Sequence, residues 1–218
     1  MAEPAIAPAP RSAARRGPET REAIHEAAIE LFARLGYHAT SMRAIAAAAG
    51  VQPASLYHWY PSKEAILVEL QDDFMARLTE RVLAATERVD RPASRLAAAV
   101  REHVGVHGLH TQAAFVTDSE IRALTQGPRL ALIAKRDEYQ AMFGAMIRDG
   151  IRDGSLRVSD AAVATYAILL QCTGVALWFD AGGPLNLDQV AELHVELVLG
   201  SVGAARELIS EAIEEVSR

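Results

Sequence analysis

The sequence predicts an all-α protein, with a small N-terminal unit of three helices followed by a larger helical body. Half of the 218 residues are apolar, alanine and leucine dominate, and aromatic residues make up only 6%. Runs of Val, Ile, Thr and Tyr, which favour strands, are missing. Apolar residues instead recur three and four positions apart, as on one face of a helix. We place a disordered arm at 1–17, the small unit at 18–63 and the body at 64–218.

Proline, glycine and capping residues mark the ends of the helices. Pro18, Pro53 and Pro92 suit first helical turns, and Gly36 and Gly50 suit positions just after a helix. Ser41, with Thr40, offers an N-cap for a short second helix. The predicted helices lie at about 18–35, 42–49, 53–60, 62–88, 92–109, 112–125, 128–152, 159–180 and 187–216.

Composition excludes several classes of protein. A single cysteine, Cys172, suits a reducing cytoplasm and excludes an internal disulfide framework. We expect no membrane-spanning segment, and the alanine- and proline-rich N-terminus lacks the apolar core of a secretory signal. A poised nucleophile, an HExxH motif and a phosphate-binding loop are all missing. The sequence therefore predicts a cytoplasmic protein that is not an enzyme and needs no cofactor.

The net charge of −6 is unevenly distributed. Residues 1–63 carry seven Lys and Arg against five acids, whereas the rest of the chain is acidic. A basic end on an acidic body is expected when only that end meets phosphates.

The second and third helices are too short to be stable alone and must pack on their neighbours. A tight turn at Gly50 and Val51 joins them, as in a helix-turn-helix whose second helix enters the major groove of DNA. That recognition helix reads PASLYHWY over 53–60. Leu56 is the inward anchor. Four consecutive bulky aromatic residues cannot all face inward, because successive residues lie about 100° apart. The exposed ones favour a binding surface, although an aromatic core cluster is the alternative.

The run TREAIHEAAIELFARLGYHATSMRAIAAAAGVQPASLYHWYPSKEAIL closely resembles the DNA-binding domain of the tetracycline-repressor (TetR) family. The match covers about residues 18–68. By position, the resemblance implies that the DNA contacts are Ser41, Arg43, Pro53, Ala54, Ser55, Tyr57, His58, Trp59 and Lys63. Pro53 stands where family members often have a polar residue that contacts a base. The resemblance therefore implies that Arg43, Ser55 and His58 make the base contacts instead. Arg15 and Arg16 of the arm are candidates for minor-groove or phosphate contacts.

The resemblance also implies a homodimer, built from the last two predicted helices of each subunit. A short recognition helix needs a second copy about 34–36 Å away, one turn of DNA, for useful affinity. The helix at 187–216 carries an apolar stripe suited to a four-helix interface with 159–180. An intramolecular core is the alternative for this stripe. Its members are Val190, Leu193, Leu197, Ala204 and Leu208, with Val198, Val202 and Ile209 beside them.

Polar and aromatic side chains among apolar neighbours in the body suggest a small-molecule pocket, which the family places between these helices. The predicted ligand contacts are Phe74, His103, His107, Tyr139, Phe143, Met146, Gln171 and Trp178. His103, His107 and His110 share one helix face, and a metal-responsive regulator using them is an alternative. The face contributes no carboxylate or thiolate, so we predict no metal site.

The segments SEIRAL, RDEYQAMFGAMIRDGIRDGSL and LWFDAGGPL resemble the ligand domain of a TetR subgroup. The resemblance implies control of fatty-acid or steroid breakdown and an acyl-CoA or other lipid-derived effector. A free apolar compound is the competing effector. A DNA-binding dimer without any effector is the alternative function.

Overall fold

The computed structural model describes residues 17–217, and these form helices and turns only. The predicted arm over 1–17 therefore lies outside the described residues, apart from Gly17, which begins the first helix. The helices are α1 (Gly17–Leu35), α2 (Met42–Ala48), α3 (Pro53–Trp59), α4 (Lys63–Thr86), α5 (Pro92–Leu109), α6 (Thr111–Ser119), α7 (Gln126–Asp153), α8 (Ala161–Thr173), α9 (Val175–Trp178), α10 (Leu187–Ser201) and α11 (Arg206–Val216).

Local capping explains most of these bounds. The Ser41 hydroxyl accepts from the Ala44 N–H at the start of α2, and the Ser62 hydroxyl accepts from the Ala65 N–H at the start of α4. Thr40 does not cap α2, because Ser41 occupies the N-cap position; the Thr40 hydroxyl instead donates to the Gly36 carbonyl at 2.9 Å. The helix starts are therefore set by short side chains that satisfy free backbone N–H groups.

Helix α5 is the central element of the body and contacts α4, α7, α8, α10 and α11. Its alanines at positions 93, 97, 98 and 99 are buried, and such small side chains let several helices approach it. α4 runs from the recognition helix into this body, and α6 contacts α1. The DNA-binding unit and the body consequently share one continuous core.

The predicted helix at 187–216 is wrong, because the chain breaks between Ser201 and Arg206 into α10 and α11. Gly203 lies at φ +72°, in the left-handed region that favours glycine. A Cβ there would lie 2.8 Å from the Arg157 carbonyl oxygen. The close approach of Arg157, a contact far along the chain, is what fixes the break.

Two further predicted helices are also divided. The helix at 159–180 separates at Gly174 into α8 and the single turn α9, where the Leu177 N–H bonds the Gly174 carbonyl three residues back. The helix at 112–125 ends as α6 at Ser119 and continues as a 3-10 turn, Glu120–Ala123.

Contrary to expectation, one segment, Ala161–Trp178, is long and apolar enough to cross a membrane. Only 22% of this window is buried within the chain. A helix that packs against a second copy of the chain has the same composition, because its apolar side chains are also removed from water on association. We name its uncovered side chains, together with two from α10, the α8–α10 apolar face: Val163, Tyr166, Leu170, Leu177, Trp178, Leu193 and Leu197.

The structure corrects the predicted apolar stripe of α10. Val190, Val198 and Val202 are buried inside the chain, so the intramolecular alternative applies to them. Leu193 and Leu197, by contrast, are exposed. The partly buried residues that follow the break, Ala204, Leu208 and Ile209, pack against the same core.

Candidate DNA-binding surface and ligand cavity

Helix α3 presents nearly all of its side chains to solvent. Leu56 is fully buried and anchors the helix, and Gly50 at φ +69° makes the turn from α2 that only glycine adopts easily. Tyr57 is 54% exposed. Such an exposed aromatic side chain on a short helix has no packing role in the monomer and is available to DNA. The predicted contacts that α3 exposes are Pro53, Ala54, Ser55, Tyr57, His58 and Trp59.

The two predicted contacts on α2 differ in what they do. Arg43 is exposed in the first turn, with its guanidinium available for a base edge or a phosphate. The Ser41 hydroxyl is an acceptor for the Ala44 N–H at 3.1 Å. Its own O–H remains a donor, so Ser41 can cap the helix and bond a phosphate at the same time.

Lys63 is held by the protein. Its Nζ donates to the carbonyl oxygens of Tyr37 at 2.5 Å and Thr40 at 2.6 Å, and it lies 4.2 Å from the centre of the Tyr37 ring. Burial lowers its pKa. Lys63 therefore holds the turn between α1 and α2, directly before the helix that carries Arg43.

Tyr60, the last residue of the predicted recognition helix, is buried and faces α1. Its hydroxyl shares a 2.8 Å hydrogen bond with His25 Nε2. Arg21 on α1 bonds the carboxylates of Glu69 and Asp73 on α4. Sequence reasoning missed this network, although a His and an Arg four apart on α1 and two acids four apart on α4 were a readable signal. It ties the end of the recognition helix to both flanking helices.

The body holds a pocket of about 160 Å³ between α4, α5, α7 and α8, which is open to solvent on one side and which we name the inner cavity. Four predicted ligand contacts meet there, namely Phe74, His103, His107 and Tyr139. The remaining wall combines three apolar side chains with four polar or charged ones, and small-molecule sites often join apolar surface to a few convergent polar groups. The other residues that line it are Met75, Leu78, Asp118, Arg136, Gln140, Leu169 and Thr173.

Two of the polar side chains of the cavity are uncharged histidines held by hydrogen bonds. His103 bonds the Tyr139 hydroxyl at 2.9 Å and the Thr173 hydroxyl at 3.1 Å. His107 Nδ1 donates to the His103 carbonyl at 2.8 Å, so its Nε2 is the acceptor nitrogen. Burial lowers the pKa of His107 to about 4 and that of His103 well below 6.5. Both rings are therefore neutral at pH 7, which suits an uncharged ligand group.

The other predicted ligand contacts lie elsewhere. Phe143 and Met146 are buried, and the Phe143 ring is 6.0 Å from that of His103, so these residues support the cavity from behind. Gln171 is exposed on α8. Trp178 is also exposed and stacks on His194, at 6.1 Å between ring centroids. Trp178 thus belongs to the α8–α10 apolar face.

The three-histidine face does not form a metal site. The rings of His103 and His107 stack at 4.1 Å, and both nitrogens of His103 have protein partners. Arg77 donates to Nε2 of His110, at the C-cap of α5. Within residues 17–217 the group whose ligand atoms do converge is His25 with Glu69 and Asp73, and Arg21 already supplies the positive charge there.

Arg136 and Asp118 are cavity residues that sequence reasoning missed. Arg136 donates to the Thr117 carbonyl at 2.8 Å and to Asp118 at 3.2 Å. Burial raises the pKa of Asp118, against the effect of Arg136. Arg136 lies three residues before Tyr139 on α7, so helical spacing alone places it on the same face. Through it the cavity wall is bonded to the end of α6.

A helix-turn-helix with an exposed recognition helix, joined to a helical body with an internal cavity, defines a ligand-responsive DNA-binding regulator. Residues 24–70 match the bacterial regulatory proteins of the tetR family, and residues 89–202 match the tetracyclin repressor-like C-terminal domain. The second match alone covers more than half of the chain. The chain therefore belongs to the TetR family of transcriptional regulators.

Three relatives show how far the similarity extends. The transcriptional repressor KstR2 of Mycolicibacterium smegmatis is 29% identical over 84% of this chain and 90% of its own. The structure of the ketosteroid transcriptional regulator KstR2 of Mycobacterium tuberculosis has a TM-score of 0.79 at 26% identity, over 88% of this chain and 98% of that one. AibR in complex with isovaleryl coenzyme A and operator DNA has a TM-score of 0.75 at 27% identity, over 82% and 97%.

Proposed function

We propose that this chain is a homodimeric cytoplasmic repressor that binds operator DNA through α2 and α3 and leaves it when an acyl-CoA or related lipid-derived compound binds the inner cavity. The observation that carries the effector is the cavity itself, where apolar side chains lie beside neutral histidines, hydroxyl groups and the paired side chains of Arg136 and Asp118. A thioester carbonyl and an acyl chain need such a site, because neither carries a charge.

The similarity to known regulators supports this class of effector. AibR was solved with isovaleryl coenzyme A and operator DNA together, and KstR2 is named as a ketosteroid regulator. Both are similar to this chain over most of their length. Acyl-CoA therefore stands ahead of a free apolar compound as the effector of this protein.

The α8–α10 apolar face supports a dimer. Leu170 is 77% exposed and Leu177 is 72% exposed, and large contiguous apolar patches of this kind mark interaction surfaces. Two copies of α8 and α10 packed together would cover these side chains with a four-helix interface. A two-fold dimer also places two recognition helices at successive turns of the same face of DNA.

Cys172 has no catalytic role in this account. It is fully buried, and burial raises the pKa of its thiol to about 12. The thiol therefore stays protonated, whereas nucleophilic cysteines act as thiolates. The protonated thiol is consistent with a protein that regulates by binding and catalyses no reaction.

The experiment that tests the DNA-binding surface is a gel-shift titration with the DNA that flanks the gene. Arg43→Ala combined with Tyr57→Ala should weaken binding about tenfold or more, because one good base contact is worth about 1–3 kcal/mol. Arg152→Ala, which removes an exposed arginine at the far end of α7, is the matched control and should bind normally. Unchanged binding by the double variant would contradict the assignment.

A further inference from the structure

Phe74 separates two cavities. On one side its ring lines the inner cavity of about 160 Å³. On the other it lines a cleft of about 700 Å³ between α1 and α4, which we name the α1–α4 cleft. Phe74 is only 7% exposed, and its ring meets that of His107 edge to face at 5.3 Å. The two rings form a wall between the spaces.

We infer that Phe74 limits the length of the acyl chain that this protein recognises, so that its effectors carry short acyl groups. This inference rests on the proposed function, since it concerns the effector of the same cavity. A cavity of roughly 150 Å³ in another protein holds one benzene molecule, a group of about six carbon atoms. The inner cavity is of the same size, so on the side that Phe74 closes it has no room for a steroid ring system or a long chain while that ring is in place.

The cleft beyond Phe74 has charged side chains along much of its wall, but it offers an apolar chain the side chains of Ile29, Leu70 and Ala113. A chain that passed Phe74 would therefore gain apolar contacts in the α1–α4 cleft. It would also lie between α1 of the DNA-binding unit and α4, whose mutual position the Arg21 network holds. Removal of the Phe74 ring should therefore let the protein bind longer acyl chains. Binding of such a chain should still weaken operator binding.

The test compares binding of butanoyl-, hexanoyl-, decanoyl- and hexadecanoyl-CoA by calorimetry, with free coenzyme A as the blank. The native protein should bind hexanoyl-CoA at least about tenfold more tightly than decanoyl-CoA, because the extra methylenes find no space. Phe74→Ala should reverse this order. Phe74→Leu, which keeps an apolar side chain and more of the packing, should give an intermediate order.

Leu78→Ala is the matched control. Leu78 lies one turn further along α4 and lines the inner cavity but not the α1–α4 cleft. Its truncation enlarges the cavity without opening the wall, so the preferred chain should lengthen by one or two carbons only. A Leu78→Ala protein that accepts hexadecanoyl-CoA as well as Phe74→Ala does would overturn the assignment to Phe74.

A second series, hexanol against decanol, separates this inference from the proposed effector. If no acyl-CoA binds but Phe74→Ala admits decanol where the native protein admits only hexanol, the proposed effector is wrong and the role of Phe74 stands. If the native protein binds hexadecanoyl-CoA as tightly as hexanoyl-CoA, the proposed function stands and the role of Phe74 is wrong. Failure of every compound to bind either protein overturns both.

Discussion

The backbone N–H of Tyr37 donates a 3.1 Å hydrogen bond to the carboxylate of Glu120. Tyr37 lies in the turn between α1 and α2, and Glu120 lies in the 3-10 turn after α6. Beside it, the Thr125 N–H donates to Glu64 in the first turn of α4 at 2.6 Å. The segment after α6 is thus bonded to both ends of the helix-turn-helix.

The same segment is bonded to the ligand cavity. Arg136 lines the cavity and donates to the Thr117 carbonyl near the end of α6. A ligand that displaces Arg136 therefore acts on α6, then on Glu120, and then on the turn before α2. We propose this chain of hydrogen bonds as the physical route between the two sites.

Glu120→Ala should uncouple effector binding from DNA release. A hydrogen bond to a charged group contributes about 1.5–3 kcal/mol, which is comparable to a typical allosteric coupling energy. We expect the variant to bind effector normally but to lose most of the effector's influence on operator affinity. Operator binding with and without effector measures this. Glu30→Ala, which removes an exposed carboxylate of α1 paired only with Arg34, is the control and should respond like the native protein.

Acidification should destabilise the fold through His107. Because burial lowers its folded-state pKa to about 4 from the ordinary 6.5, the unfolded chain takes up the proton first. The stabilisation is complete above pH 6.5 and is lost as pH falls toward 4. The free energy of unfolding should fall by about 2 kcal/mol from this group between pH 7 and pH 5. Urea denaturation at a series of pH values measures the free energy of unfolding. The His107→Asn variant, whose amide can still donate to the His103 carbonyl, should lack this contribution to the pH dependence of stability. Equal slopes for both proteins would refute the role.

Gly203→Ala should destabilise the protein. The left-handed backbone at φ +72° costs a residue with a Cβ roughly 1–2 kcal/mol, and the Cβ would also collide with the Arg157 carbonyl. Gly200, three residues earlier, has open space around its Cβ position and no positive φ. Gly200→Ala should therefore be neutral or slightly stabilising. Thermal unfolding of the two variants should move in opposite directions, and a loss of stability in both would show that the break has another cause.

Leu170→Glu should convert the dimer into a folded monomer. A charge in the middle of the α8–α10 apolar face would be buried without a partner on association, which costs several kcal/mol. Light scattering after gel filtration measures the mass, and circular dichroism checks the helix content. Leu130→Glu, at a 57% exposed leucine of α7 outside that face, should stay dimeric. A Leu170→Glu protein of dimeric mass would mean that another surface forms the dimer.

Sequence reasoning could predict the all-α fold and the three helices of the DNA-binding unit, because Ser41, Gly50 and Pro53 act locally. It could not predict the break at Gly203, since the Arg157 carbonyl that requires glycine there comes from a distant part of the chain. It also misplaced Trp178, because the interruption at Gly174 changes the direction in which the following side chains point.

The candidate sites were predictable to a similar extent. His103 and His107 lie four apart on one helix, so their common face could be read from spacing, and both line the cavity. Lys63 could not be read as a residue that holds the turn, since its acceptors at Tyr37 and Thr40 are set by the packing of α1 on α4. Exposure of Tyr57 followed from the burial of Leu56, its neighbour on a short helix.

The central claim, that a ligand in the inner cavity releases the protein from DNA, is tested most directly by fluorescence anisotropy of a labelled operator duplex during titration with hexanoyl-CoA. The account predicts that saturating ligand weakens operator binding by about tenfold or more, within the range of known allosteric couplings. Ligand that demonstrably binds the cavity while operator affinity stays unchanged would contradict it.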